Sequence, residues 1–285
     1  MVTDQMEIVM KTAAEAFREE ANRQKLTTGS EELDALIDGV RQGQFHLFYG
    51  DDEEALDLLI HKLLANCVLP VDRGGLAAKG LYLNLCNNNQ KKTTLDRDRL
   101  SLLAKHIGID PSAAFENILN VSASEAEQLT ATQEVSRVLE QNPDLRLLII
   151  HNLTEFVETS DKPPEARQTL KKVVEILREL AANNDLTVVV SCSASQRSKG
   201  RIPRPECGTL LLHEAQIVVF LRRVDVEGVH AVRACLVKHP YKECPHSITL
   251  YVPNGGLDLL GRMSHHLDNS SRTKGKNLEE PPRLP

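Results

Sequence analysis

The side chains with the clearest chemistry in this 285-residue chain fall in two runs of opposite sign. Residues 193–207 read SASQRSKGRIPRPEC, with Arg197, Lys199, Arg201 and Arg204 set against a single acid, Glu206. Glycine and proline break the run into a loop, and four cations on a loop can contact several phosphates of a nucleic acid backbone. The plainer reading of the same residues is a solvated surface loop, and it carries no aromatic ring on which a base could stack. The second run, Asp51-Asp52-Glu53-Glu54, follows Gly50 at the end of an apolar stretch. Four successive carboxylates would repel a polyphosphate, each like-charge pair at about 4 Å costing roughly 1 to 4 kcal/mol. The six cysteines (Cys67, Cys86, Cys192, Cys207, Cys235, Cys244) form no CxxC, and the histidines show no HxxxH or HExxH spacing. A disulfide framework or a structural zinc cage is therefore not expected.

The elements that must position these runs follow from composition and periodicity. Hydrophobic residues make up 41% and charged residues 26%, ample for a buried core, while 34 basic against 40 acidic residues give a net charge of −6. Overall charge thus attracts neither DNA nor an anionic membrane, and nucleic acid binding would have to come from a local patch. The longest apolar runs, residues 145–150 and 186–190, are far shorter than a bilayer span. The N-terminal MVTDQMEIVM lacks the features of a secretory signal, so a cytoplasmic location is expected.

Residues 5–24 have helix-forming composition, Thr27-Thr28-Gly29-Ser30 interrupts it, and a short helix over 31–37 follows with Ser30 as N-cap. Residues 45–49, 80–85, 145–150 and 186–191 read as apolar strands. They alternate with helical periodicity over 54–67, 95–106, 125–140 and 165–182. That alternation predicts an α/β fold with a mainly parallel sheet between helices. Strands over 215–222, 231–237 and 247–252, joined by turns, predict an antiparallel extension at the C-terminal side. From residue 264 the chain is nearly free of apolar side chains and is expected to be a disordered tail.

Several segments resemble the RecA/RadA recombinase family. Leu26-Thr27-Thr28-Gly29-Ser30, then Leu33-Asp34 and Leu36, then Gly43 and Phe45-His46-Leu47-Phe48-Tyr49-Gly50 resemble the entry into its ATPase core. Leu69-Pro70-Val71-Asp72-Arg73-Gly74-Gly75-Leu76 with Lys79-Gly80-Leu81-Tyr82-Leu83 resembles the approach to the second core strand. Leu147-Leu148-Ile149-Ile150 resembles the Walker B strand, Glu165-Ala166-Arg167-Gln168 the helix after it, and Cys207-Gly208-Thr209 the segment following the second DNA loop. The similarity spans about residues 10 to 261, without the family's N-terminal DNA-binding domain. It implies a RecA-like P-loop core over 26–263, preceded by a linker helix over 1–25 and followed by the tail over 264–285.

The resemblance also implies an ATPase, whose parts can be checked one by one. A P-loop needs glycines, a lysine and a hydroxyl to hold phosphates and Mg²⁺. After Gly50, the glycine positions hold Glu53 and Ala55, Leu56 stands for the lysine and Asp57 for the threonine. His151 replaces the Walker B aspartate and Cys86 the catalytic carboxylate. Losing all four groups leaves nothing to stabilise transferring phosphoryl charge, so a pseudo-ATPase without cofactor is expected. Asp57, Cys86 and His151 could instead converge as a zinc set or a thiol–imidazole pair. Relaxed selection would also scatter such residues there, and no metal is expected.

Family protomers assemble through a Phe-x-x-Ala segment ahead of the core. The matching positions here are Met10 and Ala13, where Met10 either fills a neighbour's aromatic pocket or packs on its own domain. Residues 193–207 correspond to the second DNA-facing loop, and the short acidic stretch 155–164 to the first. The expectation is a non-catalytic recombinase paralogue acting on a RadA-type recombinase, on single- or double-stranded DNA, or on both, with no membrane partner, as a homo- or hetero-oligomer. The alternatives are a nucleotide- or metal-dependent enzyme with atypical ligands, or a regulatory scaffold unrelated to DNA.

Overall fold

The computed structural model describes residues 12–85, 95–123, 127–195, 202–206 and 209–252. In chain order, α1 (Ala13–Asn22), β1 (Lys25–Leu26), α2 (Glu31–Ile37) and β2 (Val40–Arg41) form an entry segment. The core continues with β3 (Phe45–Gly50), α3 (Glu53–Val68), a 3₁₀ turn, β4 (Lys79–Asn84), α4 (Arg97–His106), α5 (Pro111–Glu116), β5 (Ile118–Ser122), α6 (Gln128–Gln141) and β6 (Leu145–Ile150). It ends with α7 (Glu155–Thr159), α8 (Pro163–Asn184), β7 (Thr187–Ser193), α9 (Leu210–Glu214), β8 (Ile217–Val226), β9 (Val229–Lys238) and β10 (His246–Tyr251). The predicted tail, residues 264–285, and Met10 lie outside the described residues.

Eight strands form one sheet in the order β10-β9-β8-β3-β7-β6-β4-β5. The pairs β3–β7, β3–β8, β6–β7, β4–β6 and β4–β5 are parallel, whereas β8–β9 and β9–β10 are antiparallel. The predicted α/β class and antiparallel extension are both present. Apolar side chains leave each central strand alternately to the two faces, as the two-residue strand period requires. Phe48, Ile149, Val189 and Val219 join α2, α3 and α4 in one core. Tyr49, Leu148, Val190 and Phe220 join α6 and α8 in the other. Both faces are therefore covered, and the C-terminal ends of the parallel strands remain as the place for a site.

The entry motif is a turn built on one carboxylate. Asp34 accepts the Thr27 hydroxyl at 2.5 Å and the Thr28 amide at 2.8 Å, while Ser30 caps α2 by accepting the Leu33 amide. Gly29 turns at φ 79° between them, and a Cβ there would press on the Lys62 side chain. At its other end α2 gives the Ile37 carbonyl to His239 and the Ala35 carbonyl to Lys242, satisfying groups that a helix end leaves without partners.

The β9 end is held similarly: Lys238 Nζ donates to the carbonyls of Leu212, His213 and Ala215 at 3.0, 2.9 and 2.7 Å, closing α9. Lys238→Met is expected to lower stability by about 1 kcal/mol, because these charge-assisted bonds lie at an exposed helix end, and a urea midpoint would measure it. An unchanged midpoint would remove Lys238 from the account of how α9 is held.

Candidate functional site

Strand β3 ends at Gly50 and α3 starts at Glu53, so only Asp51 and Asp52 join them. Gly50 is demanded by packing, since a Cβ there would fall onto the backbone carbonyl of Leu221 in the adjacent β8. The Asp51 amide donates to that same carbonyl at 3.1 Å. The Asp51 carboxylate accepts the Arg223 amide at 3.0 Å and lies 3.4 Å from Arg222 Nε. Asp52, 2% exposed, is the N-cap of α3: one carboxylate oxygen accepts the Ala55 amide at 3.1 Å, and the other lies 2.8 Å from His230 Nε2 on β9.

The acidic run therefore does not present four carboxylates together to a ligand. Asp51 and Asp52 are engaged by the β8–β9 hairpin, and Glu53 and Glu54 project as exposed residues of the first helical turn. Ala55 and Leu56, at the positions of the family's glycine and lysine, are buried among apolar neighbours.

One turn further on, Asp57 is the centre of an ionic network. Arg99 of α4 holds one carboxylate oxygen at 2.8 Å, and His61 Nδ1 lies 3.2 Å from the other. His61 also bonds the Asp57 carbonyl through Nδ1 at 2.8 Å and accepts the Asp96 amide at Nε2, 3.0 Å away, which places its proton on Nδ1. Burial works against the Asp57 charge. The His61 hydrogen bond and the Arg99 charge outweigh it and hold this carboxyl below its ordinary pKa.

His151 sits at the end of β6 with Nε2 3.9 Å from Asp57 and Nδ1 2.6 Å from the Ser191 hydroxyl. Burial lowers its pKa to about 4, against the pull of the Asp57 charge, so the ring is neutral. The same Ser191 hydroxyl oxygen also accepts the Asn152 amide at 3.0 Å. Ser191, His151 and Asp57 thus stand in a line, but Ser191 is fully buried and the aspartate is beyond hydrogen-bond reach of the ring. No substrate atom can approach this hydroxyl, and the line is not a nucleophilic triad.

Of the predicted cluster, the structure brings Asp57 and His151 together, while Cys86 lies outside the described residues. Among the described residues no group of three or more His, Cys, Asp or Glu side chains is arranged to hold a metal ion. The residues present do not fit a magnesium-bound triphosphate. The helix start is capped by Asp52, the side chain at the lysine position is in the core, and the carboxylate at the hydroxyl position is paired with Arg99. Sequence reading missed Arg99, His61, Ser191 and His230; only the four-residue spacing of Asp57 and His61 on one helix could have signalled a contact.

Beside the network lies a small cavity of about 110 Å³ lined by Glu53, Asn152, Thr154, Glu155, Glu158 and Ser193. Burial and the charge of Glu206 push the Glu158 carboxyl above its ordinary pKa, against a hydrogen bond from Thr154. The stretch 155–164, expected as a loop, instead begins with α7 and ends at the start of α8, because Pro163 is accommodated in the first turn of a helix.

The two described ends of the basic segment are paired with each other. Ala194 and Pro205 form an antiparallel bridge, the Ser195 amide donates to the Arg204 carbonyl at 2.8 Å, and the Glu206 amide donates to the Ser193 carbonyl at 2.9 Å. Tyr49 anchors this pairing by donating its hydroxyl to the Pro203 carbonyl at 2.8 Å. Arg204 is exposed here, whereas Arg197, Lys199 and Arg201 lie outside the described residues. The Tyr49 ring also meets Phe220, which carries Arg222 above its face at 5.1 Å, and Arg222 faces Arg233 across the β8–β9 register. Ala13 is exposed as the first residue of α1.

Residues 19–251 match the Rad51 family. A DNA repair and recombination protein RadA from Metallosphaera sedula is 26% identical over 194 residues, covering 66% of this chain and 58% of the relative. The match thus spans less than two thirds of that relative's length. No helix among the described residues is long and apolar enough to cross a membrane.

Proposed function

Because the chain belongs to the Rad51 family, we propose that it is a non-catalytic member, a pseudo-ATPase, which modulates the assembly of RadA-type filaments on DNA during recombination and repair. The observation that carries this reading is the Asp57–Arg99 ion pair at 2.8 Å, with the Asp52 cap one turn earlier: the chain's own charges satisfy the groups that would meet a nucleotide and its metal. The matched relative is a DNA repair and recombination protein, and the shared core supports carrying that setting over. In this reading the basic loop, with Arg197, Lys199, Arg201 and Arg204, contacts phosphates. Met10 and Ala13 dock on the recombinase, and a protomer that does not bind ATP caps, seeds or interrupts a filament.

The test is fluorescence anisotropy of labelled single- and double-stranded DNA across a salt series, with and without ATP and Mg²⁺. Binding should ignore ATP and weaken with salt at a log–log slope of about −2.8 for single strands and about −3.6 for duplex, as four neutralised phosphates require. It should fall at least about tenfold when the four basic residues become Ala. In parallel, 1 mM ATP with Mg²⁺ should leave Tm unchanged, since a ligand that binds the native state must raise it. A raised Tm would sink the pseudo-ATPase reading. Absence of DNA binding at low salt would leave docking on a recombinase through Met10–Ala13 as the mode of action, to be measured by co-sedimentation.

A further inference from the structure

If the site does not bind ATP, the geometry still assigns it a role. A P-loop nucleotide ties parts of its domain together, with phosphates on the helix N-terminus and a cation on a side-chain oxygen of the same helix. In this chain each of those ties has an internal counterpart. The Asp52 carboxylate is at the N-terminus of α3, buried, and reaches His230 on the β8–β9 hairpin. Asp51 pins the same hairpin through Arg222 and the Arg223 amide. One turn along α3, the Arg99 guanidinium supplies a positive charge to Asp57 and brings α4 with it. His61 extends the tie to the Asp96 amide at the start of α4.

We propose that the former nucleotide site is a self-liganded junction, in which Asp52 takes the part of a phosphate and Arg99 the part of a metal cation, holding the β8–β9 hairpin and α4 permanently on α3. The inference rests on the non-catalytic reading and deepens it. A protomer wired in this way has one fixed arrangement of hairpin, helices and sheet, whereas a nucleotide-bridged protomer has an arrangement that depends on its ligand. It is a member of an assembly that hydrolysis cannot reset.

The junction makes two separable ties, and each can be cut. Asp52→Ser keeps a good helix cap but is too short and uncharged to hold His230, and His230→Ala cuts the same tie from the partly exposed side, where refolding is not at risk. Arg99→Met removes the guanidinium and retains most of the side-chain length. Hydrogen exchange read by mass spectrometry on the full chain reports each tie by location. Asp52→Ser and His230→Ala are expected to speed exchange over residues 222–233 by about tenfold and leave residues 96–103 unchanged, and Arg99→Met to do the reverse.

Exchange that stays at the wild-type rate in all three variants, or that rises uniformly along the chain, would overturn the junction and leave the non-catalytic reading standing. Protection of residues 51–57 by ATP and Mg²⁺ in the unaltered protein would overturn both.

Discussion

Gly50→Ala should be severely damaging for a single-methyl change, costing about 3–5 kcal/mol, because the new Cβ meets a backbone carbonyl of the neighbouring strand and cannot be relieved by a rotamer change. The β3 and β8 backbones are in register at Gly50 and Leu221, and the Asp51 amide bonds the same Leu221 oxygen, so the two strands would have to part. The yield of soluble protein and the urea midpoint measure the effect. The informative control is Ala55→Gly, which restores a glycine of the family's phosphate loop. Here it falls within the first turn of α3 and should cost about 1 kcal/mol through lost helix propensity. Should Gly50→Ala be tolerated within 1 kcal/mol, the sheet-packing explanation for this glycine is wrong.

Acid should unfold this protein before its carboxylates titrate. His46 and His151 are buried and desolvation lowers each pKa to about 4, while an unfolded histidine titrates near 6.5. Both rings are neutral in the native state, so above pH 6.5 folded and unfolded chains bind the same number of protons there. Between 6.5 and 4 the unfolded chain binds more, and stability falls as pH falls; below 4 these two groups add no further loss. Each shift corresponds to about 3 kcal/mol, so the pair removes up to about 6 kcal/mol by pH 4, comparable with the whole stability of many domains. His239, lowered by its own burial, acts in the same direction, and Glu158, raised, opposes it weakly. Urea midpoints at pH 7.5, 6, 5 and 4.5 should decline steeply, and His151→Asn should flatten that decline by about half. Constant midpoints from pH 7.5 to 5 would mean that the buried rings are solvated in the native state.

The fold was legible where burial imposes a period. The mainly apolar runs that became β3, β6 and β7 lie in the middle of the sheet, and α2 was predicted with its cap because Ser30 sits where a short helix needs one. Strand β5 escaped notice because it is an edge: Ile118 is buried and Asn120 and Ser122 are not, so no alternation marks it. The helix α7 has five residues, too few for a periodic signal. The departures from the family pattern at Leu56, Asp57 and His151 were visible in the sequence, but the partners that give them meaning were not. Arg99 arrives on α4 and His230 on a hairpin more than 170 residues from Asp52, and long-range ionic contacts leave no local trace in a sequence.

The early start of α3 bears on how this lineage could change. Replacing Leu56 by lysine and Asp57 by threonine would restore the letters of a phosphate-binding motif, yet Leu56 is 2% exposed and an ammonium placed there would be buried among apolar side chains. Threonine at 57 would leave the Arg99 guanidinium without its carboxylate, and the backbone amide of Ala55 would still belong to Asp52. Each reverting step is therefore harmful until the others have been taken. On the proposed non-catalytic reading, loss of nucleotide chemistry is a one-way step: point substitutions can refine what the protein has become far more readily than they can restore a phosphate-binding loop.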